Sequence, residues 1–495
     1  MLAALLLATG FWLRNPIVFI AEDCYFYAVV ARNLALHGVQ SFWGSEPTNG
    51  VHPLWLYLLA GYDWVVSWIS PDLLRAPAFG VPLVTVITAV GALNFARVAE
   101  RAELPRAAVV CIPVLFLAAF GLLYSEAHAA FLMHSVLARV VSDEDHDGRP
   151  RPVLAGLAAA GVCLARLDNV FYVAAFLGWY AWRHLDRGVA AHMLLASTVP
   201  LVAYVGSNLV FFGSMVPVSG FLKSTFPLPN VGSFVVAGSG LVVMWSGYSV
   251  LFGWIPVGVG ALTALTMRRR LTGIRSLLYP LLAGTVLHAI YTGFFTAGFT
   301  FWYWYYLLPI VLLAWSLACA TAPVVGPRLD QVLQWSAVAA LGAALVATRL
   351  APPDEFRLEG LRTLRLVRQF GIERATILVS EWPGTLAFYT RNQVVAADML
   401  TSNRRLVERM QQEGPAALLA RARERGTPIE YVLFNGGLFL LPNLDLQSLE
   451  YRNPRMVDTL AGRSLGTLRL GPAEAFAEGL FLWRVPATAA TPSGR

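Results

Sequence analysis

The sequence predicts an α-helical polytopic membrane protein with a polar α/β domain after its last membrane span. Three observations lead there. Of 495 residues, 57% are hydrophobic and only 14% charged, where soluble domains carry about 25% charged residues. Mean hydropathy is +0.58. Apolar runs of bilayer-crossing length recur as far as residue 350, and after Pro352 and Pro353 the composition turns polar.

A helix crosses the hydrocarbon core with roughly 17 to 25 apolar residues. Met1 to about Ile20 qualifies; it lacks the basic start and small-residue cleavage site of a signal peptide and reads as a transmembrane helix. Further spans are expected near 76–96, 107–124, 127–141, 152–165, 169–183, 193–212, 239–265, 276–298, 302–322 and 331–350. That makes about eleven helices, the pair at 152–165 and 169–183 being short for a full crossing.

Orientation follows from the Lys and Arg bias of short loops. Arg97, Arg101 and Arg106, then Arg149 and Arg151, Arg183 and Arg187, and Arg268 to Arg270 with Arg275 all fall on one side if their loops are cytoplasmic. The loops 21–75, 125–126, 166–168, 213–238 and 299–301 then face outward, as does everything after about 351. The expected location is the cytoplasmic (inner) membrane of a bacterial-type cell, multi-pass, with a membrane domain at 1–351 and an extracytoplasmic domain at 352–495.

Within loop 21–75, apolar residues recur at helical spacing in CYFYAVVARNLALHG and in PLWLYLLAGYDWVVSW, which predicts two helices lying at the membrane interface. Making the second a full span would put Arg97 to Arg106 outside, against the charge pattern. In the C-terminal domain, ATILVS, QVVAAD and EYVLFN read as strands. Asn403 to about Arg425 reads as amphipathic helix broken at Gly414-Pro415. No repeat or glycine-rich phosphate loop is present.

The formal charge of +7 does not imply nucleic acid, because the basic residues sit in short loops and form no stripe. The four cysteines have no CxxC or metal spacing, so neither a disulfide nor a metal site is assigned.

Ionisable residues at a membrane edge are costly and are functional candidates by default. Here Glu22 and Asp23 end the first helix, His52 precedes the Pro53 helix, and Glu126 lies between two apolar spans. Arg166 and Asp168 sit at a helix junction, and Lys223 lies in an outward loop. All are expected on the outer face.

The run AEDCYFYAVVARNLALHGVQSFWGSEPTNGVHPLW carries an acidic pair, Ala31-Arg32-Asn33, and Thr48-Asn49-Gly50 leading into His52-Pro53-Leu54-Trp55. Ser125-Glu126, Arg166-Leu167-Asp168 and FFGSMVPVSGFLKS follow in order. This series resembles the GT-C superfamily of membrane glycosyltransferases, with likeness to bacterial protein-mannosyltransferase-like and aminoarabinose-transferase-like members. The acidic pair is Glu-Asp where many relatives have Asp-Asp, and the aromatic run Trp302 to Tyr306 lacks the arginine some carry.

The resemblance implies an inverting transferase that moves sugar from a polyprenyl-phosphate donor to a glycan, lipid or protein acceptor of the cell envelope. It implies Asp23 as general base, with Glu22 tuning it or helping to hold a cation, and Glu126 holding acceptor or metal. Lys223 resembles a lysine that contacts the lipid phosphate. No cofactor is assigned, and a divalent cation (Mg or Mn) stays open. Several roles keep a plainer alternative: Arg166 and Asp168 as a local ion pair, His52 as a structural histidine, Lys223 as a solvated loop residue. Trp302, Tyr303 and Tyr305 either line the donor site or form an interfacial belt. Glu381, Asp398 and Asn403 are candidates for acceptor contact or simply scaffold polarity.

Two functions of other classes compete: a transporter or flippase of lipid-linked or small substrates, and a non-catalytic envelope-assembly scaffold. The long helical loop, the lack of a repeat and the outward domain argue against the transporter. A scaffold would tolerate loss of Asp23.

Overall fold

The computed structural model describes residues 22–76, 80–104, 112–113, 116, 125–184, 186–229, 254–266, 275–296, 307–321, 326, 328–336, 339, 355–379, 383–397, 401–413, 416–435, 475–477 and 480–485. Both helices expected in the first loop are present, α1 (Glu22–His37) and α2 (Pro53–Ser67). Pro53 opens α2, where its fixed φ suits the first turn and its missing N–H costs no helical bond.

The bundle continues with α3 (Val81–Arg101), α4 (Glu126–Asp147), α5 (Pro152–Ala165), α6 (Val170–Arg183), α7 (Arg187–Phe212), the short α8 (Val218–Lys223), α9 (Ile255–Thr266), α10 (Arg275–Phe294) and α11 (Leu307–Thr321). Among the described residues α3, α7 and α10 are long and apolar enough to cross a membrane; α5, α9 and α11 are shorter apolar helices. The expected spans at 1–20, 107–124 and 331–350 lie wholly or largely outside the described residues, so the expected eleven stays an expectation.

Two boundaries differ from expectation for local reasons. Helix α7 starts six residues before 193 because the Asp186 carboxylate accepts from Gly188 N–H at 2.8 Å and caps it. Helix α4 runs past 141 through Ser-Asp-Glu-Asp-His-Asp, since arginines neutralise its acids. Asp143 pairs with Arg101, with Arg139 at 2.7 Å and with Arg151 at 3.1 Å, while Asp145 pairs with Arg183. The loops read as one-sided from their arginines thus meet at one end of the bundle. Ser276, at the start of α10, joins them through Arg183.

The helices approach closely at small residues, as spans in lipid do. A Cβ on Gly156 of α5 would lie 2.3 Å from the Met193 carbonyl of α7, and one on Gly284 of α10 would lie 2.4 Å from Cα of Tyr172 in α6.

In the C-terminal region α12 (Glu355–Gln369) leads to β1 (Thr376–Val379), α13 (Pro383–Tyr389) and β2 (Gln393–Ala396). Then come α14 (Arg404–Glu413), α15 (Ala416–Glu424), β3 (Tyr431–Asn435), β4 (Ala475–Ala477) and β5 (Leu480–Arg484). The three expected strands are present, and two helices flank the expected break, which itself lies outside the described residues. The sheet order is β2-β1-β3-β5-β4, with β2, β1 and β3 parallel and β5 antiparallel to its neighbours.

Strand β1 is buried on both faces, as a central parallel strand should be. Side chains alternate across it: Ile377 and Val379 join the core that includes Tyr25 and Trp55, and Leu378 joins Trp43, Leu222 and Val407. The sheet is therefore packed into the first loop on both sides.

Candidate active site

The site is built on the junction between α5 and α6. Helix α5 stops at Arg166, whose extended backbone (φ −148°, ψ 115°) leads into the tight turn Leu167–Asn169. Asn169 Nδ2 donates to the Val162 carbonyl at 3.2 Å and holds the turn against the helix end. Arg166 is 2% exposed. Its guanidinium donates twice to Asp168 (Nε–Oδ1 2.9 Å, Nη2–Oδ2 2.8 Å) and through Nη1 to Glu126 Oε1 at 3.0 Å. The planar fork matches a carboxylate in this bidentate way. Glu126 is the first residue of α4, behind its cap Ser125.

Three further segments close on this pair. His52 Nδ1 accepts from the Leu167 N–H at 3.2 Å, and the His52 N–H donates to the Tyr27 hydroxyl at 3.2 Å. Tyr27 lies one turn along α1 from Asp23, whose carboxylate is within electrostatic reach of Lys223 and Arg166. No hydrogen bond engages the Asp23 carboxylate among the described residues. Lys223 ends α8, whose first N–H, that of Val218, donates to Asn49 Oδ1 at 3.1 Å. Asn49 Nδ2 is buried and lacks a hydrogen-bond partner among the described residues.

The protonation pattern follows from burial and charge. Burial raises the Asp23 carboxyl above its ordinary range, an effect Lys223 and then Arg166 partly offset. Burial, then the Arg166 charge, lowers His52 to about 3, so it is a neutral acceptor at physiological pH. For Asp168 burial opposes ionisation, but Arg166 and His288 outweigh it and hold the carboxyl well below its usual range.

Glu22 faces away from this cluster. It accepts from the Thr385 N–H at 2.9 Å and from the Thr385 hydroxyl, at the start of α13. One face along α1, Arg32 donates to the carbonyls of Ala387 and Phe388, at 3.1 and 3.3 Å, at the other end of α13. An anion at the N-terminal end and a cation at the C-terminal end both suit the helix dipole.

Asp23, His52, Glu126, Arg166, Asp168 and Lys223 are thus brought together, and Glu22 is not. Trp302, Tyr303, Tyr305, Glu381 and Asp398 lie outside the described residues. Asn403 caps α14, accepting from Leu406 N–H at 3.1 Å, and donates to Glu46 at 2.7 Å; its groups are used in joining the domain to the loop.

Sequence reasoning passed over His288, whose Nε2 lies 3.6 Å from Asp168. The signal was a lone histidine inside the apolar run of α10. It named Asn49 only within Thr48-Asn49-Gly50 and passed over Tyr27, because their roles depend on contacts distant in sequence.

The described residues do not form a cage for a divalent cation. No group of three metal-type ligands converges among them, Glu126 and Asp168 bind Arg166, and Glu22 binds Thr385. No step below therefore runs through a metal.

No family model matches the sequence, and no curated protein matches it. Solved structures do. ArnT from Cupriavidus metallidurans, solved with undecaprenyl phosphate bound, aligns over 99% of this chain and 98% of its own at 13% identity and TM-score 0.51. Alignments at lower scores are to the arabinofuranosyltransferase AftD from Mycobacteria (TM-score 0.42, 14% identity, 98% of this chain and 40% of that one). Another is to the Archaeoglobus fulgidus oligosaccharyltransferase in its apo form (0.48, 12%, 92% and 72%). The first alignment spans both chains almost end to end, and on it this chain shares the overall fold of that structure.

Proposed function

We propose that the chain is an inverting glycosyltransferase that takes sugar from a polyprenyl-phosphate donor and works at the outer face of the cytoplasmic membrane. The observation that supports this reading is that Asp23 lies within electrostatic reach of Lys223 and Arg166, the three being contributed by separate segments of the chain. A carboxylate beside cations is what the reaction requires. The acceptor hydroxyl attacks the anomeric carbon as the bond to the lipid phosphate oxygen breaks. The acceptor proton passes to Asp23, and the leaving phosphate keeps the bond electrons.

Burial raises the Asp23 carboxyl, which makes it a better proton acceptor, and general-base help contributes roughly 100- to 10,000-fold. Lys223 meets the phosphate charge. Arg166 already serves two carboxylates, so its part is to fix Glu126 and Asp168 and add positive potential. Glu22 is a docking residue in this reading and takes no part in proton transfer.

The test is incubation of purified protein with a panel of polyprenyl-phosphate sugars and detection of the free lipid phosphate. Release with one donor class supports the reading. Absence of release across the panel, with and without candidate glycan, lipid or protein acceptors, contradicts it.

A further inference from the structure

A cavity lies outside this cluster, where α7 ends against α14 and α15. Its volume is about 240 Å³, below the roughly 300–1,000 Å³ of pockets for drug-sized ligands. It therefore admits a headgroup rather than a lipid-linked sugar. Arg405, Arg409, Arg421 and Arg425 line it, together with Phe211 and Phe212 at the end of α7.

The charges do not cancel inside it. Glu46, 5% exposed, accepts from Arg421 Nε at 2.9 Å, Arg425 Nε at 2.9 Å and Asn403 at 2.7 Å. One buried carboxylate thus serves two guanidiniums, of which Arg421 also reaches Glu424 at 3.1 Å. Arg409 is taken up by Glu413 and Glu424 at the exposed rim. Arg405, which is exposed, meets no carboxylate among the described residues. A surplus of positive charge beside a buried, saturated acid favours an anion.

The apolar lining says where the anion comes from. Helix α7 is long and apolar enough to span a membrane and is the least covered of the three such helices. At its end Val210 and Phe211 are each 71% exposed, as lipid-facing side chains would be. We propose that this cavity binds the acidic headgroup of an anionic membrane lipid, its phosphate on Arg405, Arg421 and Arg425 and its chains lying along α7. Phosphate is the shared chemistry of a lipid headgroup and a soluble phosphate; the apolar wall favours the lipid.

The test uses the full chain in phosphatidylcholine nanodiscs with and without phosphatidylglycerol, with retained lipid counted by native mass spectrometry. Wild type should retain phosphatidylglycerol selectively. Arg405→Gln should lose it roughly ten- to hundredfold, the scale of one charged hydrogen bond, and Arg405→Lys should recover most of it. Arg405 is exposed and unpaired among the described residues, so the variants should fold; thermal midpoints in pure phosphatidylcholine check this.

Equal retention by Arg405→Gln, or equal retention of phosphatidylcholine by wild type, overturns the proposal. Inorganic phosphate forms the second arm. If it raises the thermal midpoint of wild type but not of Arg405→Gln, and no phosphatidylglycerol is retained, the lipid assignment is overturned in favour of a soluble anion. None of these readouts depends on sugar transfer.

Discussion

Glu22 and Asp23 are neighbours in sequence with different surroundings. Asp23 faces Lys223 and Arg166, while Glu22 is enclosed by the start of α13, and burial pushes its carboxyl up to about 7 despite the Thr385 bonds. An unfolded glutamate titrates near about 4.3. Between those values the folded chain holds more protons than the unfolded one, so this group's contribution favours folding most below the unfolded value and is lost as pH rises through about 7. Wild type should accordingly lose thermal stability from the first value toward the second, and Glu22→Gln, which does not titrate, should show a flatter profile. Parallel profiles would remove Glu22 from the docking contact. The sequence showed an acidic pair at the end of the first apolar run but not which member faces cations, because Thr385 is distant in the chain.

At the scale of elements, the site depends on how closely helices approach. Gly284 sits one turn before His288 on α10, and a side chain there would meet the backbone of Tyr172 in α6. Gly284→Val should force α10 off α6, costing about 1–3 kcal/mol or more by overpacking and drawing His288 away from Asp168. Gly178→Val on α6 is the control, since nothing lies within 4 Å of a Cβ there. Thermal unfolding of both purified variants tests this; equal midpoints would contradict the close packing. Helix existence was legible here because apolar runs and charged loops are local signals. Close approach at Gly284 was not, since it depends on the facing helix. Strands β1, β2 and β3 were legible from their β-branched runs. The short β4 and β5, in FAEGLFLWRV, were not, having little alternation to mark them.

Across the whole molecule, charge sorts the two ends of the bundle. Arg101, Arg139, Arg151 and Arg183 gather with Asp143 and Asp145 at one end, and the candidate site and the sheet lie at the other. Helix α4, with 22 residues, is about 33 Å long and carries Glu126 at one end and that acidic run at the other. Such a length matches a bilayer core of about 30 Å. The arginine bias predicts that the arginine-rich end is cytoplasmic and residue 495 is not, so a phosphatase fused after residue 495 should be active. Bright fluorescence from a C-terminal fusion that folds only in the cytoplasm would reverse the orientation. The common end of the arginine loops was legible in the sequence. Their pairing with the Asp-Glu-Asp run was not, since partners on other helices are not visible in a linear pattern.

In the proposed reaction Asp23 accepts the acceptor's proton. Once a donor has been identified, the most direct measurement is the single-turnover rate of sugar transfer by Asp23→Asn, with donor affinity measured alongside. Asparagine keeps shape and hydrogen bonding but takes no proton, so the rate should fall roughly 100- to 10,000-fold with donor binding nearly unchanged. Lys223→Ala, run in parallel, should weaken donor binding, because the phosphate charge it meets is present before reaction. Transfer by Asp23→Asn at the wild-type rate would contradict the claim.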